Sequence, residues 1–505
     1  MRTPARQEGD RLIRSLARRE VQSFFDDLTS GNPRYRTVAS LRGQITQEYR
    51  GRCILELLQN AHDALAGAGP KDPRRISFVL TSGPEPELLV ANSGRPFRRK
   101  DFEGICQLGQ SPKDPNKSVG NKGLGFQSVL EVSTRPQIWS TAADEGSPAF
   151  AFEFDQAGTR RLVEQALSEI DNDSGPSGGP LDPDGAIIDW ASRNHSAYRQ
   201  RLAETSLDAL GEARDYLSPY SIPLQVGGIP EEVAELLRNG HVTVVRLRLD
   251  GGRTGTVDEA IESITNQLEQ LDAKSTVFLA HVKKLTVAVD GNRRVLERAA
   301  RSADGLPGAR PTREELVRVD PSSGGAPEDT GRTFRVWARS LGGSDDPAEE
   351  RRIKQAVRHL PNRWPELRQV DVAVAVEDTA SPEPGTLVIF LPTEEPTETG
   401  THVNAPFYGS LDRRHINFED DYNALLLEYV IDLTLDVAIE LATGPPEAWR
   451  ARAVIDLLAS TGSAHAGGQP TTRGRAVEAP ADGQPTLMDQ IFQRAEETNR
   501  DLGAC

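Results

Sequence analysis

Within the stretch Glu56-Leu57-Leu58-Gln59-Asn60-Ala61-His62-Asp63-Ala64, an acid, an amide and a second acid stand at i, i+4 and i+7. An α-helix turns about 100° per residue, so these three side chains fall within an arc of roughly 60°. Ile54, Leu58, Ala61 and Leu65 fall on the opposite side. The segment therefore predicts an amphipathic helix with its apolar stripe in a core and its polar stripe facing either solvent or a cavity. A solvated face accounts for Glu56 and Asp63 taken alone. A second motif, Gly120-Asn121-Lys122-Gly123-Leu124-Gly125-Phe126-Gln127-Ser128, favours the cavity. Gly120, Gly123 and Gly125 allow positive φ and lack β-carbons, so successive backbone N–H groups can turn toward one anion. Residues 126–132 can then open a helix whose N-terminus adds positive partial charge. Phosphate is the expected guest, within reach of Lys122, and the two motifs together predict a nucleotide site. The run lacks the Gly-Lys-Ser/Thr ending of a P-loop, and no strand leads into it as in a dinucleotide-binding turn.

A chain of 505 residues exceeds one hydrophobic core and predicts two or three domains. No run of eighteen apolar residues occurs, so no membrane span is expected. Arg2, Arg6, Arg11 and Arg14 are not followed by an apolar core, so no secretory leader is expected. Cys53, Cys106 and Cys505 are too few and too scattered for a disulfide framework or a zinc site, which points to a reducing, cytoplasmic location. A formal charge of −16 disfavours nucleic acid as a partner for the surface as a whole. The arginines of the first fifty residues read as a solvated helix face.

Residues 171–185, 302–333, 378–385 and 460–485 are rich in Gly, Pro, Ser and acids and read as loops or linkers. Between them, helices are expected at 11–28 and 41–65, and strands at 76–80 and 88–91 around a Ser82-Gly83-Pro84 turn. The alternation of residues 242–249 predicts a half-buried strand. After the Asp250-Gly251-Gly252 turn come a helix at 257–271, an apolar run at 276–282 and strands at 285–289, 334–338, 370–376 and 386–391. A helix at 422–441 closes this module, and one more is expected at 486–502.

Between helix and glycine run lies Val90-Ala91-Asn92-Ser93-Gly94-Arg95-Pro96-Phe97, a strand end entering a turn. This order of parts resembles the GHKL ATPase superfamily, whose helix carries E-x-x-x-N-x-x-D, whose turn carries D-x-G-x-G and whose lid ends in G-x-x-G-x-G. Tyr49-Arg50-Gly51-Arg52 ahead of the helix, and the wording of the glycine run, are most similar to its sacsin and NO VEIN branch. Downstream, Phe390-Leu391-Pro392-Thr393, His402-Val403-Asn404-Ala405-Pro406-Phe407 and Asp412-Arg413-Arg414 extend the resemblance over residues 35–440.

The resemblance implies an α+β chain. A helical extension (1–34) would precede a GHKL α/β sandwich of helices on a mixed sheet (35–250, lid 104–121). A transducer-like α/β domain (251–445) and a linker with a C-terminal helix (446–505) would follow. It implies Mg²⁺-dependent binding and slow hydrolysis of ATP coupled to conformational change, in a chaperone-like or bacterial defence-related ATPase. Glu56 stands where the superfamily keeps its general base, Asn60 where it holds Mg²⁺, and Asp63 where it buttresses the site. Gly120, Lys122, Gly123, Leu124, Gly125 and Phe126 would cradle phosphates. Asn92 and Gly94 would form the turn beneath adenine, with Thr243 beside it. Asn92 replaces the superfamily's Asp, so the adenine contact loses charge assistance, and Pro96 replaces its second Gly. Arg413 or Arg414 would reach the γ-phosphate. Expected partners are a protein client of unknown identity and a second copy in a nucleotide-dependent homodimer. The alternative of another class is a nucleotide-gated protein-interaction module with negligible turnover. A histidine kinase is disfavoured, because the single His followed by an acid, His62, lies inside the nucleotide helix itself.

Overall fold

The computed structural model describes residues 3–48, 50–106, 125–143, 149–172, 195–205, 208–252, 255–306, 312–323, 331–361, 363–379, 383–389, 391–397, 399–410, 415–458 and 487–497. Gly120, Lys122, Gly123, Leu124, Arg413, Arg414 and nearly all of the expected lid lie outside them. The chain is a mixed α+β protein that divides into two compact units. The first takes the described residues up to Leu271 together with His281–Arg294, and the second takes Asp272–Ala280 and the residues from Val295 onward.

In the first unit, α1 (Pro4–Ser30) starts at Thr3, whose hydroxyl accepts the Arg6 N–H, and ends at Gly31 in the left-handed region. Ala17, Val21, Phe24, Phe25 and Leu28 recur at helical spacing and bury one face of α1 against later helices, leaving Arg11 in solvent. The helix expected over 41–65 is two helices, α2 (Arg34–Glu48) and α3 (Cys53–Ala66). The break is at Gly51, which takes φ +75° and donates its N–H to Glu131 at 2.8 Å. There follow β1 (Arg75–Thr81), β2 (Glu87–Asn92), α4 (Arg99–Cys106), a 3₁₀ segment (Gly125–Glu131), β3 (Gln137–Ser140) and β4 (Phe150–Glu153). Next come α5 (Gln156–Asn172), α6 (His195–Thr205), α7 (Ala209–Tyr216), β5 (Leu224–Gln225) and α8 (Glu231–Arg238). The unit closes with β6 (Thr243–Arg248), α9 (Val257–Glu269) and β7 (Lys284–Val289).

Its strands run in the order β7-β1-β2-β6-β3-β4-β5, with β1 parallel to β7 and the other pairs antiparallel. The hairpin β1–β2 and strand β6 stand where the alternation of Ile76, Phe78, Leu80 and of Val245, Leu247 places them. β2 is buried along its whole length, as a central strand covered on both faces must be. Leu89, Ala91, Trp139, Ala151 and Val244 pack on one face with Val233 of α8. Alternation turns Asn92, Ser140 and Thr243 to the other face.

In the second unit, β8 (Asn292–Leu306) from Val295 onward, β9 (Thr312–Ser323), β10 (Arg332–Gly342) and β11 (Gln369–Glu377) lie side by side, and α10 (Pro347–Ala356) links the last two. Much of 302–333, expected as a linker, is thus strand. Val317 and Val319 supply a two-residue period that the surrounding charges conceal. β12 (Thr386–Ile389), β13 (Leu391–Pro396) and β14 (Thr401–Asn404) complete the strands of this unit. α11 (Asp421–Thr443), capped by Asp420 through the N–H groups of Tyr422 and Asn423, buries Leu426, Tyr429, Val430, Leu433 and Val437 against Trp337, Val372 and Val374. α12 (Ala448–Leu458) and α13 (Leu487–Glu497) follow, the latter held on α11 by Arg494 with Glu428 and Asp432. Among the described residues no helix is long and apolar enough to cross a membrane.

His402 of β14 is buried, and burial, reinforced by Lys274 and Arg332, pushes it from 6.5 down to about 4. An unfolded chain therefore takes up a proton in this interval that the folded one refuses, and stability falls as pH drops from 6.5 to 4. Asp456, raised by burial to about 6, acts in the opposite sense. Its contribution cancels when wild type and His402→Gln are compared. Hydrogen exchange in β11 and β14 should show wild type losing protection more steeply than the variant on acidification, and parallel losses would refute this assignment.

Candidate functional site

Helix α3 runs under β1 and β2. Its apolar stripe is as the sequence predicts, with Ile54, Leu58 and Leu65 fully buried and Ala61 nearly so. The polar stripe is not a solvated face. Glu56 is 2% exposed, Gln59 1%, and the Asp63 side chain 6%, while Asn60 is half-buried. Glu56 occupies the first turn, where the positive end of the helix dipole favours a carboxylate. His62 is buried against His281, ring centroids 5.1 Å apart, and Arg74 Nη1 stands 3.3 Å from His281 Nδ1. A phosphoacceptor histidine has to be reachable, and His62 at 4% exposed is not.

The end of the glycine run meets this stripe. Gly125 opens the 3₁₀ segment, and a β-carbon built on it would sit on the Glu56 carboxylate, far inside van der Waals contact with Oε2. Ser128 Oγ returns a hydrogen bond to the Gly125 carbonyl at 2.7 Å, which closes the first turn, and Val129 and Leu130 anchor the segment in the core. Phe126 stands next to Gly125 and is half-buried, with its ring 6.4 Å from that of Phe154. Two motifs far apart in sequence are therefore adjoining, as a shared site requires. Cys53, beside them, is fully buried, and burial, with Glu131 and Glu56 nearby, pushes its thiol well above the usual range and leaves it unreactive.

The turn after β2 docks on the other end of α3. Gly94 has φ +95°, and a β-carbon there would come within 2.8 Å of the Ala64 carbonyl oxygen. Arg95 donates its N–H to that oxygen at 3.0 Å. Asp72 holds the turn from below, accepting the Ser93 hydroxyl at 2.7 Å, the Gly94 N–H at 2.7 Å and the Arg74 N–H at 2.7 Å. Arg95 also pairs with Asp101. Burial raises the Asp101 carboxyl, but hydrogen bonds from Arg95 and Arg98 outweigh it and hold the group below the usual carboxylate range.

Asn92, Thr243 and Ser140 are direct register partners across β2, β6 and β3, and each is nearly buried. Asn92 donates from Nδ2 to the Ser93 carbonyl at 2.5 Å, which leaves Oδ1 as its acceptor. Ser140 and Thr243 share a hydrogen bond of 2.9 Å between their hydroxyls, and Ser140 Oγ accepts the Phe97 N–H at 2.9 Å. Ser140 and Asp72 are polar contributors that no motif marks. Ser140 becomes visible through strand register and Asp72 through the loop it closes.

Glu56, Asn60 and Asp63 thus share one helix with Gly125 packed on it, Gly94 meets that helix, and Asn92 and Thr243 stand side by side at the strand end. Among the described residues no three His, Cys, Asp or Glu side chains lie together as a metal cage. A divalent ion at Asn60 would take its other ligands from phosphate oxygens and water, the mode suited to Mg²⁺.

Residues 36–145 match the family model described as a Sacsin domain. The segment is sacsin-like. A stretch of 104 residues, 20% of this chain, is 35% identical to Protein NO VEIN of Arabidopsis thaliana and spans 3% of that relative's length. The sacsin-like segment holds α3, the β1–β2 hairpin, the glycine run and β3. Thr243 and α9 lie beyond it. The NO VEIN likeness is to a small part of a much longer protein, so it bears on this segment alone.

The two glycines predict different costs. Gly94→Ala forces an L side chain into positive φ against backbone and should destabilise the protein by about 1–3 kcal/mol in denaturant titrations. Gly83→Ala, in open space, should change little. Equal midpoints for the two variants would show that the Gly94 turn is unstrained.

Proposed function

We propose that the first unit binds ATP with Mg²⁺ and hydrolyses it slowly, as a GHKL-type ATPase. The observation that carries this reading is the Gly125 backbone lying against the Glu56 carboxylate, which joins a phosphate-cradling motif to a buried acid. In this reading Glu56 orients the attacking water and takes its proton, a role suited to a carboxylate in a shielded site. Asn60 contributes its amide oxygen to Mg²⁺, with Asp63 supporting it on the same face. The ion, when bound, neutralises charge on the phosphate oxygens.

The phosphates would lie along the glycine run from Gly120 to Gly125, with Lys122 on the terminal group and Leu124 and Phe126 lining the cradle. The base would lie against Asn92, Gly94 and Thr243. Asn92 Oδ1 would accept from an exocyclic amine, a neutral contact where the superfamily's Asp makes a charged one. Arg413 or Arg414 in the second unit would respond to the γ-phosphate, making ATP and ADP states differ. A chaperone-like or defence-related role, a protein client, a nucleotide-dependent homodimer and a cytoplasmic location complete the proposal. They rest on the family resemblance.

Two variants test it. Mg²⁺ with ATP should raise the melting temperature of wild type by mass action, and Asn60→Ala should erase most of that shift. Equal shifts would remove Asn60 as the metal ligand. Glu56→Ala should keep the nucleotide shift and lose roughly 10²-fold or more of phosphate release, the scale of a general base. Binding with no Glu56-dependent release would favour the gated interaction module instead.

A further inference from the structure

Helix α3 begins without a cap of its own. Arg52 stands at its N-cap position, and no side-chain oxygen there accepts the orphan N–H groups of the first turn. The acceptor comes from another helix. Gln267 of α9, buried at 8% exposed, takes the Ile54 N–H on Oε1 at 3.0 Å. The same amide donates from Nε2 to Ser263 Oγ at 3.1 Å, and Ser263 Oγ lies 3.4 Å from Glu131 Oε1. Glu131 ends the segment that Gly125 opens, and its other oxygen accepts the Gly51 N–H at 2.8 Å.

The chain of bonds closes on itself. From the entry of α3 it runs through Gln267 and Ser263 to Glu131, and back to the residue that breaks α2 from α3. It grips both partners of the Glu56–Gly125 contact from behind, since Glu56 lies one half-turn beyond Ile54 and Gly125 opens the segment that Glu131 ends. We propose that Gln267, with Ser263 and Glu131, is a positioning residue that holds Glu56 in register with the end of the glycine run. This rests on the reading of Glu56 as the base. Gln267 touches neither nucleotide nor water and acts through the first turn of α3. It lies outside the segment matched to the Sacsin domain, in a helix that sequence reading assigns to the second module.

The informative variant is Gln267→Met, which keeps the volume and removes both hydrogen bonds. It should retain the thermal shift with Mg²⁺ and ATP, and lose about tenfold or more in turnover, because small misplacements of a reacting group are costly. The Ile54 amide should exchange faster in the nucleotide-free protein. Ser263→Ala should cut turnover by a smaller factor and leave the Ile54 bond in place. Wild-type turnover in Gln267→Met would overturn the positioning role, whatever the Ile54 exchange. Wild-type exchange at Ile54 would overturn the cap itself. The exchange measurement uses no nucleotide, so the cap is judged even if Glu56→Ala releases phosphate like wild type. That result would sink the hydrolytic reading and with it the positioning role.

Discussion

The closeness of Gly125 to Glu56 governs the first unit. A carboxylate buried to 2% exposed in a first helical turn is costly unless the fold compensates it, and a β-carbon on Gly125 would displace the Glu56 carboxylate where the 3₁₀ segment crosses it. That one contact joins the end of the glycine run to the first turn of α3, while the break between α2 and α3 rests on Gly51 and its bond to Glu131. With α3 so placed, β1 and β2 pack upon it, and the turn at Gly94 meets its far end.

Around this contact the polar groups are arranged by backbone more than by side-chain choice. Sheet register puts Asn92, Thr243 and Ser140 in one row, although they come from three separate parts of the chain. Asp72 locks the turn through three hydrogen bonds, and Gln267 caps α3 from a distance. A site of this kind tolerates change at its periphery poorly, because its precision lies in bonds to backbone N–H groups that no other residue supplies.

Sequence legibility follows the range of the forces involved. Helical period and glycine spacing are local, so α3, the β1–β2 hairpin, β6 and α11 stand close to where the pattern puts them, and Glu56 and Gly125 are named before they are seen to adjoin. The break at Gly51 escapes notice because it depends on Glu131, eighty residues away. β9 and the last residues of β8 look like linker because charged residues surround their apolar ones, and a strand in a sheet needs only alternate positions apolar. Ser140, Asp72 and Gln267 carry no motif, since their roles come from register and tertiary hydrogen bonds. The family comparison reaches the same segment as the motifs, residues 36–145, and leaves Thr243 and α9 to the fold.

The central claim is that helix, glycine run and strand-end row form one nucleotide site in the first unit. Photolabelling with 8-azido-ATP and Mg²⁺, followed by peptide mapping, tests it most directly. The account predicts label on the peptides bearing Asn92–Phe97 or Thr243, suppressed by excess ATP. Label confined to the second unit, or label that ATP does not displace, would contradict it.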